Sequence, residues 1–151
     1  MDAEQKERLI KHLDFLKDEL SDFEKFRKVT WKVYSDDRDL RRNLERWIEN
    51  LVNCSIDIGK IVLAFQKRPI PDTYREVLFY LGHLPLFSES FADLLSRWSK
   101  LRNILAHEYL DMRWNNIKAF IEEAEPVFKE LVRGVEEMLE GDQESKDDSR
   151  P

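Results

Sequence analysis

Residues 38–67 constrain the fold more than any other stretch, because apolar side chains recur along them at intervals of three and four. This is the period of an α-helix. The apolar positions form two bands, a main one at Leu40, Leu44, Trp47, Leu51, Cys54, Ile58, Val62 and Phe65, and a second at Ile48, Val52, Ile56 and Leu63. A long helix with two apolar faces must be covered on both, either as the central helix of a bundle or by another subunit.

The rest of the chain predicts further helices of the same kind, at about residues 3–27, 73–82, 88–107 and 111–140. Thr73 and Glu76 have the spacing of a capping box at the start of the second of these, and Pro126 should kink or break the last one before it ends at Gly141. Residues 30–37 are predicted as a connection. With four Gly, five Pro and no strand-like alternation, the sequence predicts an all-α, antiparallel up-and-down bundle of four to five helices.

Length and composition indicate one domain. The 151 residues fit a single folded unit, which we place at residues 1–140, while the polar stretch 141–151 is predicted to be a disordered tail. The net charge of −6 means that any RNA site must be local. A single cysteine, Cys54, fits a reducing compartment, and no apolar run is long enough to span a membrane. We therefore expect a cytoplasmic protein without a membrane partner.

The stretch Arg102-Asn103-Ile104-Leu105-Ala106-His107-Glu108-Tyr109 carries the chemistry. Arginine presents a planar fork of donors that matches phosphate oxygens. Histidine exchanges protons near neutral pH, and tyrosine is both a hydrogen-bonding group and a target for modification. The combination indicates a protein that acts on phosphodiester bonds, with Arg102 and His107 as candidate catalytic residues.

The motif resembles the signature of HEPN-domain toxins of the HepT type, in which Asn103 would follow the arginine and Tyr109 would lie two residues after the histidine. Residues 50–59 and 71–76 resemble the second long helix of that family and the loop and helix start ahead of its motif. Residues 5–140 are thus similar to one HepT-like domain.

The resemblance implies an all-helical, homodimeric endoribonuclease toxin that needs neither a metal nor another cofactor. It also implies a partner, the nucleotidyltransferase antitoxin of type VII (HEPN/MNT, or MntA-like) systems. That enzyme would silence the toxin by AMPylation of the motif tyrosine, which is Tyr109 in this chain.

Arg102 and His107 are five residues apart, so on a straight helix their side chains project about 140° from each other and would not face one target. Either the helix ends or bends between them, or a second chain completes the site across a two-fold axis. In such a site His107 would transfer protons and Arg102 would stabilise charge on the phosphate. Asn103 would orient a phosphate or ribose hydroxyl, and Tyr109 would stack on a base or position His107.

Asp57 is the remaining candidate, because it lies on a polar line with Asn50 and Asn53 in the apolar long helix. A salt bridge from Asp57 to Arg102 would hold the guanidinium in place. The alternative is that Asp57 is simply an exposed residue of the helix.

Structural interpretations compete with these roles. His107 near a helix C-terminus could be a cap or a dipole partner, Arg102 could pair with Asp57, Glu108 or Asp111, and Tyr109 could be an ordinary helix-end aromatic residue. For the whole chain, the alternatives are a non-catalytic helical partner subunit of a minimal nucleotidyltransferase, which binds a nucleotide, and a structural adaptor.

Overall fold

The computed structural model describes residues 1–148 and is all-α, as the sequence predicts. Within that range there are nine α-helices and one turn of 3₁₀ helix, more than the four or five helices expected. Their bounds are α1 Ala3–Leu20, α2 Phe23–Arg27, α3 Trp31–Asp36, α4 Arg38–Phe65, α5 Tyr74–Gly82, α6 Phe91–Arg97, the 3₁₀ turn Trp98–Lys100, α7 Leu101–His107, α8 Leu110–Glu123 and α9 Glu125–Asp148.

The additional helices arise where local hydrogen bonds interrupt the predicted ones. The Ser21 hydroxyl donates to the Asp18 carbonyl at 2.6 Å, which competes with the backbone ladder and separates α1 from α2. Residues 30–37, predicted as a connection, contain α3, because Thr30 accepts a capping bond from the Val33 amide. Pro126 lies in the first turn of α9, where its missing N–H costs nothing, so the predicted last helix is broken into α8 and α9.

Helix α9 continues past its predicted end. We expected it to close at Gly141, which is wrong, because the helix runs to Asp148. Near that glycine the Lys6 ammonium donates to the Gln143 side chain at 2.6 Å, which connects this part of α9 to α1. The tail prediction for residues 149–151 lies outside the described residues, and the domain boundary at 140 stays a prediction.

Helix α4 is the centre of the molecule. Ile48, Val52, Ile56 and Leu63 of its second apolar band are all at most 3% exposed. The main helix contacts of α4 are with α1, α3, α5 and α7, and Trp47 of α4 also packs against Phe120 of α8. Both apolar faces are therefore covered within one chain, so of the two possibilities left open by the sequence, a central helix accounts for the pattern without a second subunit.

Two glycines let the helices around α4 approach closely. A Cβ atom on Gly82 would lie 2.5 Å from the Cα of Ala92, and one on Gly59 would lie 2.8 Å from Val77 Cγ1. The first glycine brings α5 against α6, and the second brings α4 against α5. Helix α7 also contacts α4, and its Arg102 lies against Tyr74 of α5, so α4, α5 and α7 meet at one side of the bundle.

Candidate active site

Helix α7 presents the motif at the junction with α4 and α5. Its buried residues Leu101 and Leu105 anchor it to the core, so Arg102, Asn103 and Ala106 lie on its outward side. These three residues line a cleft of about 530 Å³. The other lining residues are Glu49 and Asn53 of α4, Tyr74 and Arg75 of α5, and Ser99 and Lys100 of the 3₁₀ turn. The structure thus brings together the predicted residues Arg102 and Asn103.

The Arg102 guanidinium lies over the ring of Tyr74, with its Cζ atom 4.8 Å from the ring centroid. Among the described residues no carboxylate lies within salt-bridge distance of Arg102. The structural bridges considered for it, to Asp57, Glu108 or Asp111, are not formed. Its donors are not engaged by a carboxylate and can bind an anion.

Asp57 is exposed on α4 and shares a smaller cavity with Arg102. This cavity of about 240 Å³ is also lined by Asn53, Ile56, Lys60 and Tyr74. Asp57 therefore occupies the exposed position that was the alternative to the bridge, although it lies beside the residue that it was expected to hold.

His107 is the last residue of α7 and is exposed. The helix ends directly after His107 and is continuous from Leu101, so it does not end or bend between Arg102 and His107. Four residues separate His107 from Asn103, which places the two about 40° apart around the helix. His107 does not line the cleft, although its neighbour Ala106 does. Within one chain the structure does not bring the two candidate catalytic residues together.

Tyr109 lies outside the cleft, on the connection between α7 and α8. Its backbone is extended, with φ −70° and ψ 161°, and it precedes the first residue of α8. Its side chain is 84% exposed. The phenol is therefore accessible to another protein, and it makes no ring contact with the motif among the described residues.

A partly buried ion pair that was not predicted from the sequence fixes this connection. Arg113 of α8 donates from Nε to the Glu108 carbonyl at 2.7 Å and from Nη1 to the Glu45 carboxylate at 3.0 Å. Tyr34 also approaches Glu45, at 3.5 Å. Burial raises the pKa of Glu45, and Arg113 opposes that shift. Burial, followed by the charge of Glu45, raises the pKa of Tyr34 to about 12.

Glu45 and Arg113 are 68 positions apart in the sequence, and no local pattern connects them. Their pairing attaches the residue between His107 and Tyr109 to the central helix. Arg113 thus connects the segment that carries His107 and Tyr109 to both α8 and α4.

The charge around the cleft is locally positive in an acidic chain. Lys60, Arg75, Lys100 and Arg102 line the two adjoining cavities, against the acids Glu49 and Asp57. Because these cations are clustered, they can attract a polyanion despite the net charge of −6. The sequence had indicated that an RNA site would have to be local.

Among residues 1–148, no group of three or more His, Cys, Asp or Glu side chains is arranged to hold a metal ion. Nor is any helix of that range both long and apolar enough to cross a membrane.

A family model described as "Ribonuclease HepT-like" matches residues 16–135, a range that includes the whole motif. The chain belongs to the HepT-like ribonuclease family. This confirms the resemblance on which the sequence analysis relied. A comparison with curated protein sequences gives no match.

Solved structures with the same fold include two toxin–antitoxin complexes. A tri-AMPylated HEPN toxin of Shewanella oneidensis, in complex with an MNT antitoxin, has a TM-score of 0.72 and 18% identity to this HepT-like chain. A mutant MntA–HpeT toxin–antitoxin has a TM-score of 0.74 and 17% identity. Each match covers 85% of the HepT-like chain and 96% of the other chain. At this level of identity the likeness establishes the fold.

Proposed function

We propose that this HepT-like chain is a metal-independent endoribonuclease toxin of a type VII toxin–antitoxin system. It acts in the cytoplasm as a homodimer and is silenced by AMPylation. The observation that carries the proposal is the position of Arg102, which has no carboxylate partner and lies in a cationic cleft next to Asn103. A phosphodiester is the ligand that suits such a guanidinium.

The reaction needs two proton transfers. One His107 removes the proton of the ribose 2′-hydroxyl, whose oxygen then attacks the phosphorus. A second His107 gives a proton to the departing 5′-oxygen. Arg102 stabilises the charge that develops on the phosphate oxygens, and Asn103 orients the phosphate or a ribose hydroxyl. The products are a 2′,3′-cyclic phosphate and a 5′-hydroxyl.

A dimer would supply the two histidines. His107 does not line the cleft of its own chain, and on the continuous helix α7 it projects about 140° away from Arg102. A two-fold axis near the C-terminal end of α7 would bring two copies of His107 towards two copies of Arg102.

Regulation would act at Tyr109. Its 84% exposure makes the phenol accessible to a modifying enzyme, and the related Shewanella oneidensis toxin is described as AMPylated and in complex with an MNT antitoxin. AMP on Tyr109 would add bulk and negative charge next to His107, so that RNA phosphate would be repelled.

The direct test is cleavage of labelled RNA in excess chelator by the wild type and by His107→Ala and Arg102→Ala. We expect cleavage by the wild type only, with a cyclic phosphate at the new 3′ end. His83→Ala is the matched control, because His83 is also exposed at the end of a short helix but does not line the cleft. Strict dependence on a divalent ion, or full activity of His107→Ala, would contradict the mechanism.

The same assay separates the proposal from its rival. A chain that binds nucleotides but leaves every RNA intact would be the non-catalytic partner subunit of a nucleotidyltransferase.

A further inference from the structure

Tyr74 is the first residue of α5, and its ring is in contact with two cations. Arg102 Cζ lies 4.8 Å from the ring centroid and Lys60 Nζ lies 5.4 Å from it. The ring is fixed at a capped helix start, because the Thr73 hydroxyl accepts a hydrogen bond from the Glu76 amide at 3.2 Å. It is 49% exposed, so both cations meet the ring at the edge of the cleft rather than in the core.

This arrangement differs from the ion pairs elsewhere on the surface. Arg97 and Arg133, for example, are paired with the carboxylates of Glu123 and Glu130. An aromatic ring orients a cation through its quadrupole but leaves the positive charge unneutralised. Lys60 and Arg102 also line one cavity with a single carboxylate, that of Asp57. Two oriented cations against one anion leave a net positive site that is preorganised for an anion.

We propose that Lys60 and Tyr74 form a subsite for the RNA phosphate adjacent to the one held by Arg102. Lys60 contacts that phosphate directly, and Tyr74 is a positioning residue whose ring holds both cations beside the cleft. The subsite rests on the proposed function, because it assigns Arg102 to the scissile phosphate. It extends the RNA contact from α7 onto α4 and α5.

The remaining cations of the cleft support a strand path. Arg75 follows Tyr74 on α5, and Lys100 lies directly before α7, and both line the larger cavity with Arg102. Phosphates on the two sides of Arg102 would therefore meet Lys60 in one direction and Arg75 or Lys100 in the other. Such a path suits an unpaired strand, whose backbone can follow the cleft.

The test is the salt dependence of RNA binding. A fluorescein-labelled single-stranded RNA is titrated with full-length protein carrying His107→Ala, so that it is not cut, between about 50 and 200 mM salt. Each phosphate contact on a single strand contributes about 0.7 to the slope of log affinity against log salt concentration. We expect Lys60→Gln to lower the slope by about that amount. Lys28→Gln, at an exposed lysine that directly follows α2 and lines no cleft with Arg102, should leave it unchanged.

Tyr74 gives the second part of the test. Tyr74→Leu should lower the slope as Lys60→Gln does, whereas Tyr74→Phe, which keeps the ring, should restore it. A purely structural role of Tyr74 would change the thermal midpoint without changing the slope. If Tyr74→Leu fails to fold, the Lys60→Gln comparison decides alone.

The outcomes separate the two claims. A Lys60→Gln slope equal to that of the parent, in a protein that binds RNA and whose His107 is needed for cleavage, overturns only the subsite. A wild-type chain that neither binds nor cleaves RNA overturns the proposed function together with the subsite.

Discussion

Replacing Arg113 by Met should destabilise the fold strongly, because it leaves the Glu45 carboxylate without its partner. The two side chains are only 24% and 13% exposed, and their charged atoms are 3.0 Å apart. Removing one member of a fully buried pair costs about 3–5 kcal/mol. Since this pair retains some exposure, we expect a loss of about 2–3 kcal/mol. Methionine keeps most of the apolar volume of the arginine stem, so the loss reports mainly on the charge.

Arg97→Met is the matched control. Arg97 and Glu123 form an ion pair with the same 3.0 Å separation, but the side chains are 56% and 53% exposed. Exposed pairs contribute about 0–1 kcal/mol, so this variant should remain close to wild type. Both free energies of unfolding are measured by urea denaturation.

The loss should also depend on pH. Burial raises the pKa of Glu45, and Arg113 lowers it, so the variant loses the lowering contribution and its Glu45 pKa rises further. When a carboxyl group has a higher pKa in the folded state than in the unfolded state, the folded protein loses stability as the pH rises above the unfolded-state pKa. The deficit of Arg113→Met should therefore be small near pH ~4 and complete by pH ~8.

Adding Glu45→Gln to Arg113→Met should recover part of the stability, because the uncompensated charge is then absent. Equal losses in Arg113→Met and Arg97→Met, or a deficit that does not vary with pH, would refute the argument that burial of Glu45 sets the magnitude.

Other predictions concern assembly, regulation, packing and reactivity. Light scattering at tens of micromolar should give a dimer, and a monomer that still cleaves RNA would exclude the composite site. Co-expression with the cognate nucleotidyltransferase should add AMP at Tyr109, located by peptide mass spectrometry, and modification elsewhere would contradict this. Gly82→Ala should lower the thermal midpoint by several degrees, because its Cβ would lie 2.5 Å from Ala92 Cα and overpacking costs about 1–3 kcal/mol. Burial raises the pKa of Cys54 to about 12, so this thiol should resist alkylation in the native state and react after unfolding.

The fold was predictable where the deciding interactions are local or periodic. The apolar bands of α4 give its length and its central place, and the Asp37 side chain caps it by accepting from the Leu40 amide at 3.0 Å. The break at Ser21 and the helix α3 that begins after Thr30 were not predicted, because a single side-chain hydrogen bond decides each.

The candidate site was predictable only along its own helix. Arg102 and Asn103 share a motif, so their common surface follows from helical geometry. Tyr74 and Lys60 reach the same place from two other helices, and nothing in the spacing of the sequence connects them to α7. Contacts of this kind depend on the angles at which α4, α5 and α7 cross. Those angles are set by the packing of the whole core and not by a local sequence pattern.

The covering of both faces of α4 within one chain also affects how activity would depend on expression. A subunit whose core is closed does not need a second copy in order to fold, and dimer formation only adds stability that rises with concentration. A composite site nevertheless requires two subunits. At low expression the cell would contain folded but idle monomers, and the number of working sites would rise with roughly the square of the protein concentration. A small change in toxin dose would then separate harmless from harmful levels.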